Sequence, residues 1–193
     1  MNDPYVQRSR KDGYRSRSAY KLTEIDERDR LLRPSQVIVD LGAAPGGWSQ
    51  VAAQRVGKGG KVLAIDLLEL EPIPGVEFVR GDFTKGSGLK AIASLLGDGK
   101  ADIVLSDMAP NMSGIAISDQ ARSMELAELA RDFAVLHLQE AEGVFLVKVF
   151  QGAGYDEYLK SLRAAFRKVV VRKPDASRGE SAEQYLLARG LKA

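Results

Sequence analysis

The sequence runs to 193 residues, about one domain's worth of chain, and its 45% apolar and 28% charged content can bury a core, which excludes a disordered segment. With no cysteine and one histidine, His137, it excludes disulfide scaffolds, cysteine-ligated zinc or iron–sulfur centres and cysteine nucleophiles, and it argues against a Ser-His-Asp triad. The net charge of +2 conceals a segregation. Arg8, Arg10, Lys11, Arg15, Arg17 and Lys21 cluster with one acid, Asp12, and Lys160, Arg163, Arg167, Lys168, Arg172, Lys173 and Arg178 cluster with one acid, Asp175. The body between and around these segments is acidic. If the fold brings the two together, they form a polyanion-binding face, and Tyr5, Tyr14 and Tyr20 in the first could stack on bases.

No run of about 18 apolar residues is present, and the polar N-terminus lacks the apolar core of a signal peptide, so a cytoplasmic protein without a membrane span is expected. The first predicted element is a helix over 16–33, stopped by Pro34. Then strands and helices alternate: strand Val37–Asp40, helix Ser49–Val56, strands Lys61–Asp66 and Val76–Val79, helix Leu89–Leu96, strand Ala101–Asp107. A long helix Asp119–Glu140, which carries His137 as a structural residue, leads to strand Gly143–Phe150, helix Tyr155–Ala165 and two last strands, Phe166–Arg172 and Glu183–Arg189. Continuously apolar strands alternating with helices predict an α/β fold, a mostly parallel sheet covered on both faces. About ten residues separate the last two strands, too few for a parallel crossover, so the last strand is expected to be antiparallel.

The turn Asp40-Leu-Gly-Ala-Ala-Pro-Gly-Gly-Trp-Ser49 joins the first strand to a helix, where glycines permit close backbone approach and the helix N-terminus favours an anion. Gly42, Gly46 and Gly47 with Pro45 between them do not fit the G-x-G-x-x-G dinucleotide spacing, which disfavours an NAD-dependent oxidoreductase. Seven strands with the last reversed, and this loop, resemble the Rossmann-like fold of S-adenosyl-L-methionine-dependent methyltransferases. That resemblance implies a cofactor site at Gly42, Pro45, Gly46, Gly47 and Trp48, with Asp66 at the ribose and Asp82 and Phe83 near the adenine. For Trp48, packing on the sheet is the competing expectation.

Three further polar residues stand out. Lys148 interrupts the apolar strand Val144–Phe150, where a charge is costly unless paired. Asp107 ends the fourth strand, at the edge where open α/β sheets bind ligands. Glu183 starts the reversed strand, at that same edge. In the methyltransferase strand order all three converge.

Across nearly the whole chain, Arg17-Ser-Ala-Tyr-Lys21, the loop from Asp40 to Trp48, Ser106-Asp-Met-Ala-Pro-Asn-Met-Ser-Gly114, Val147-Lys-Val-Phe-Gln-Gly152, and Arg172-Lys-Pro-Asp-Ala-Ser-Arg178 before Ser181-Ala-Glu183 resemble the FtsJ/RrmJ family. These are bacterial heat-shock ribosomal RNA large-subunit 2′-O-ribose methyltransferases. The resemblance implies a catalytic tetrad of Lys21, Asp107, Lys148 and Glu183, no metal, and S-adenosyl-L-methionine as cofactor, with Asp107 also close to the methyl donor. It further implies a monomer of one domain, 1–193 with a basic segment 1–33, acting on a uridine of 23S rRNA within the 50S subunit. In that mechanism Lys148 is the base for the ribose hydroxyl if neutral, or orients the oxygen if protonated. Competing readings are a 2′-O-methyltransferase of tRNA or an mRNA cap, and a non-catalytic RNA-binding ribosome-assembly factor. The absence of cysteine and an Asp-Met-Ala-Pro block at 107–110 both favour oxygen over a base carbon or an amino group as acceptor.

Overall fold

The computed structural model describes residues 3–177, 179 and 181–192; Arg178, counted above in the second basic segment, lies outside the described residues. In chain order the elements are α1 (Pro4–Asp12), α2 (Ser18–Asp29), β1 (Val37–Leu41), α3 (Gly47–Val56), β2 (Lys61–Asp66), β3 (Val76–Arg80), α4 (Gly86–Leu96), β4 (Ile103–Ser106), α5 (Ala116–His137), β5 (Val144–Phe150), α6 (Tyr155–Ala165), β6 (Phe166–Arg172) and β7 (Glu183–Leu191). The strands form one sheet in the order β3-β2-β1-β4-β5-β7-β6. β1 to β5 pair in parallel, and β7 runs antiparallel to both β5 and β6, as the short connection before it requires.

Alternation along the strands divides the core in two. Val39, Leu63, Val104, Phe145, Val147 and Leu186 face α4, α5 and α6. Ile38, Val62, Ile103, Leu105, Leu146, Tyr185 and Leu187 face α2 and α3. The same parity sets the site: Lys148 follows Leu146 by two residues, and Glu183 precedes Tyr185 by two, so both belong to the face that α2 covers.

α2, β4 and α5 are among the elements whose bounds differ from expectation, and one element was missed. α2 stops at Asp29 instead of Arg33. Arg30 turns left-handed (φ 52°), and the Asp26 carboxylate takes the Leu32 N–H at 2.7 Å, ending the backbone ladder. β4 is confined to Ile103–Ser106, with Ala101 bridging only to Leu138. That bridge pulls Leu138 into an extended conformation and ends α5 at His137 rather than Glu140. The basic stretch at the N-terminus contains α1, whose signals were local: the Asp3 side chain caps it by accepting the Tyr5 N–H at 3.0 Å, Pro4 follows, and Gly13 at φ 78° closes it.

Candidate active site

At the carboxyl ends of β4 and β5, Lys148 Nζ donates to the Asp107 carbonyl oxygen at 2.8 Å and pairs with Asp107 Oδ1 at 3.2 Å. From α2, Lys21 Nζ reaches Glu183 Oε1 at 2.6 Å, with both side chains only 12% exposed. Ser177 Oγ donates to the same Glu183 oxygen at 2.9 Å. Burial pulls the Glu183 carboxyl up, but the hydrogen bonds and charge of Lys21 and the Ser177 bond outweigh it, leaving it below the ordinary carboxylate range. The four residues singled out from the sequence, Lys21, Asp107, Lys148 and Glu183, therefore form two ion pairs. Tyr185 joins them: its hydroxyl lies 2.9 Å from Asp107 Oδ1 and 3.3 Å from Glu183 Oε1.

Asp107 also lines a cleft of about 500 Å³ between the ends of β1, β2, β3 and β4. Gly42, Asp66, Asp82 and Phe83 line it with Asp107. Asp66 accepts the Ala44 N–H at 2.9 Å on one oxygen and the Leu68 N–H at 2.8 Å on the other, shaping both rims and leaving a lone pair on each. Asp82 accepts the Thr84 hydroxyl at 2.6 Å and N–H at 2.9 Å, which hold its carboxyl below the ordinary range.

The rest of the glycine loop sits differently. A Cβ on Gly42 would strike Met108, so this glycine, at φ 75°, lets the β1 turn pass close to the loop that follows β4. A Cβ on Gly47 would strike Ser16 Oγ, so that glycine admits the lead-in to α2. Pro45 gives its carbonyl to Arg15 at 3.5 Å, and Arg15 also donates to Glu71 O at 2.6 Å and Pro72 O at 2.9 Å. Gly46 packs near Ile73, Leu70 and Arg15. The Trp48 side chain is core: 2% exposed, bonded from Nε1 to Ser18 O at 2.8 Å and tilted on Tyr185 with centroids 5.6 Å apart. Its indole does not line the cleft; what Trp48 can offer a ligand is the backbone N–H in the first turn of α3.

A family model described as FtsJ-like methyltransferase matches residues 14–191. The chain belongs to the FtsJ-like methyltransferase family. Among curated relatives, this FtsJ-like chain is 57% identical over 192 residues to "Ribosomal RNA large subunit methyltransferase E" of Dechloromonas aromatica, and 59% identical over 192 residues to the protein of the same name in an Azoarcus species. Each alignment covers 100% of this chain and 93% of the relative. Among solved structures, a ribosomal RNA methyltransferase from Plasmodium falciparum superposes with a TM-score of 0.80 at 32% identity, covering 92% of this chain and 98% of that one. The FtsJ-like chain is thus a member of an enzyme family that transfers a methyl group from a donor, on the seven-stranded fold expected from its sequence.

Sequence reasoning missed Tyr185 and Ser177, which contact the four charged residues of this FtsJ-like chain. Tyr185 could have been found, since it lies two residues from Glu183 on a strand. Asp40, the acid at the end of the first strand, opens the glycine turn. It is fully buried; Oδ2 accepts the Ser49 hydroxyl at 2.6 Å, and Oδ1 has no hydrogen-bond partner among the described residues. Burial pushes its carboxyl up to about 7, against the lowering effect of Ser49 and with help from Asp107 and Asp66. The two basic segments meet only in part. Arg17 bonds Ala176 O, and Arg172 clasps Asp29 through two 2.7 Å bonds. Lys160 and Arg163 ride on α6, on the opposite face of the sheet from α2. No described helix is long and apolar enough to cross a membrane.

Proposed function

We propose that this protein methylates a ribose 2′-hydroxyl of large-subunit ribosomal RNA with S-adenosyl-L-methionine as donor, using Lys21, Asp107, Lys148 and Glu183. The observation that carries the reading is the double engagement of Asp107, which lines the cleft and holds Lys148. A donor in the cleft and a hydroxyl at Lys148 would be neighbours. When bound, the donor supplies an electrophilic methyl on a sulfonium. The residues present suit it: Asp66 keeps lone pairs for a sugar diol, Asp82 and Phe83 sit at the far end, and the N–H groups of Gly46, Gly47 and Trp48 at the start of α3 suit a carboxylate.

The protein's own work is to position the ribose and handle one proton. Asp107 fixes Lys148 through two contacts, Lys148 takes the proton of the 2′-hydroxyl, and the Lys21–Glu183 pair orients the sugar from the α2 side. The names of the relatives support ribosomal RNA of the large subunit as substrate. The exposed Arg8, Arg10 and Lys11 on α1 offer phosphate contacts. On this reading the chain is one methyltransferase domain, 1–193, acting as a monomer in the cytoplasm on a uridine of 23S rRNA in the 50S subunit.

The test incubates purified protein with labelled S-adenosyl-L-methionine and, separately, large ribosomal subunits, free 23S rRNA and tRNA, and then maps the label. Label on a ribose oxygen of large-subunit RNA is expected, with Lys148→Ala at least ~100-fold slower while still binding donor. Label on tRNA alone, on a base, or near wild-type turnover in Lys148→Ala would overturn the proposal.

A further inference from the structure

Tyr185 is fully buried on β7, and its hydroxyl sits between two acids that belong to different lysine pairs: Asp107 Oδ1 at 2.9 Å and Glu183 Oε1 at 3.3 Å. A hydroxyl has one proton and two lone pairs. Facing two carboxylates, it donates to one and turns a lone pair toward the other, and that second contact becomes a hydrogen bond only when the second acid carries a proton. The cluster thus has a place for one additional proton, and methylation of a ribose hydroxyl releases one.

We propose that Tyr185 is a positioning residue whose hydroxyl passes this proton from Asp107 to Glu183. The proposal rests on the reading of Lys148 as the group that receives the ribose proton. Lys148 Nζ takes that proton as it gives one of its own to the Asp107 carboxylate, so the ribose O–H is broken, the nitrogen is left as it was, and an O–H forms on Asp107. Tyr185 Oη then takes the proton from Asp107 while its own passes to Glu183, leaving the phenol unchanged. Glu183, bonded to the partly exposed Lys21, releases the proton to water.

The surroundings suit a group that relays without ionising. Burial, with the Asp107 and Glu183 carboxylates, raises the Tyr185 phenol well above its ordinary range, so it remains a hydroxyl. Lys148 is its register partner on β5, Arg172 its partner on β6 with the guanidinium engaged by Asp29, and the Lys21 ammonium on α2 lies 6.0 Å from the ring centroid. The ring's packing on Trp48 is independent of the hydroxyl, so Tyr185→Phe removes the relay and keeps the core.

The experiment measures single-turnover methylation of large subunits from pH 6.5 to 9, with donor affinity by calorimetry, for wild type, Tyr185→Phe, Glu183→Gln, the double variant and Lys148→Ala. Tyr185→Phe is expected to bind donor within about twofold of wild type and to transfer methyl about 10-fold more slowly at neutral pH. Its rate should recover as rising pH lets solvent base accept the proton. The double variant should be no slower than the slower single variant, because both changes cut one path. A wild-type rate in Tyr185→Phe, a loss equal at every pH, or losses that multiply in the double variant would overturn the relay. Should Tyr185→Phe fail to bind donor, Glu183→Gln decides alone: a pH-dependent loss supports the relay and a pH-independent one overturns it. Near wild-type turnover in Lys148→Ala would bring down the functional reading itself. An inactive Lys148→Ala beside an unimpaired Tyr185→Phe brings down only the relay.

Discussion

The two halves of the sheet edge use acids in opposite ways. On the β1–β3 side, Asp66 and Asp82 accept backbone N–H groups of Ala44, Leu68 and Thr84, so their charge shapes loops around the cleft. On the β4–β5–β7 side, Asp107 and Glu183 are bound by lysines and a phenol, so their charge is balanced by groups that carry protons. A carboxylate held by backbone is a fixed wall, whereas one held by titratable side chains can exchange protons with them. On the proposed function, the first half binds the donor and the second carries the reaction.

Asp107 stands on the boundary, and the largest effect is expected there. Asp107→Ala should lose at least ~100-fold in turnover and weaken donor binding as well, the one change among these to move both readouts. Turnover loss with unchanged donor affinity would mean that its place in the cleft wall is incidental. Asp66→Ala should sharpen the contrast from the other side. Donor affinity, measured by calorimetry, should fall about 10-fold, while the rate at saturating donor stays within a few-fold of wild type.

Lys21→Ala tests whether the reactive half also carries stability. It leaves Glu183 buried without its cation, at a cost of about 3 kcal/mol in denaturant unfolding near neutral pH. Because Glu183 titrates below its ordinary range in the folded protein, its stabilisation is present above that range and lost as pH falls through the folded value. Wild type should therefore lose stability on acidification, and Lys21→Ala should lose less. The smallest effect concerns Asp40. Burial raises its carboxyl to about 7, so the folded state favours the neutral form, and that stability is lost as pH rises through 7. Wild-type melting temperature should drop by a few degrees between pH 6 and 8.5, and Asp40→Asn should flatten the decline.

Much of this was legible in the chain. Continuously apolar strands alternating with helices, and the short link before Glu183, pointed to the sheet and its reversed strand, because that link is too short for a parallel crossover. Lys148, Asp107 and Glu183 were legible because each breaks a local pattern, a lysine in an apolar strand and acids at strand ends, whereas Lys21, one basic residue among many, was singled out only by the resemblance to the family. Trp48 shows where such reading stops. Its position in the glycine loop suggested a ligand contact, but its indole turns inward to Ser18 and Tyr185, and only three-dimensional packing chooses between those directions. The charge segments show the same limit. Arg15, Arg17, Arg172 and Lys173 all count as basic in the sequence, yet each binds the protein's own carbonyls or acids.

By itself, the sequence determined the α/β class and singled out Asp66, Asp82, Asp107, Lys148 and Glu183, through periodicity, strand ends and local misfit, while Lys21 entered only through the resemblance to the family. The tertiary structure alone decided that Lys21, Asp107, Lys148 and Glu183 divide into two ion pairs, that Tyr185 bridges them, and that Asp40 is sealed beneath the loop. Those facts depend on distances of about 3 Å between residues up to 162 positions apart, and no local pattern in a chain encodes which distant side chains will share a proton.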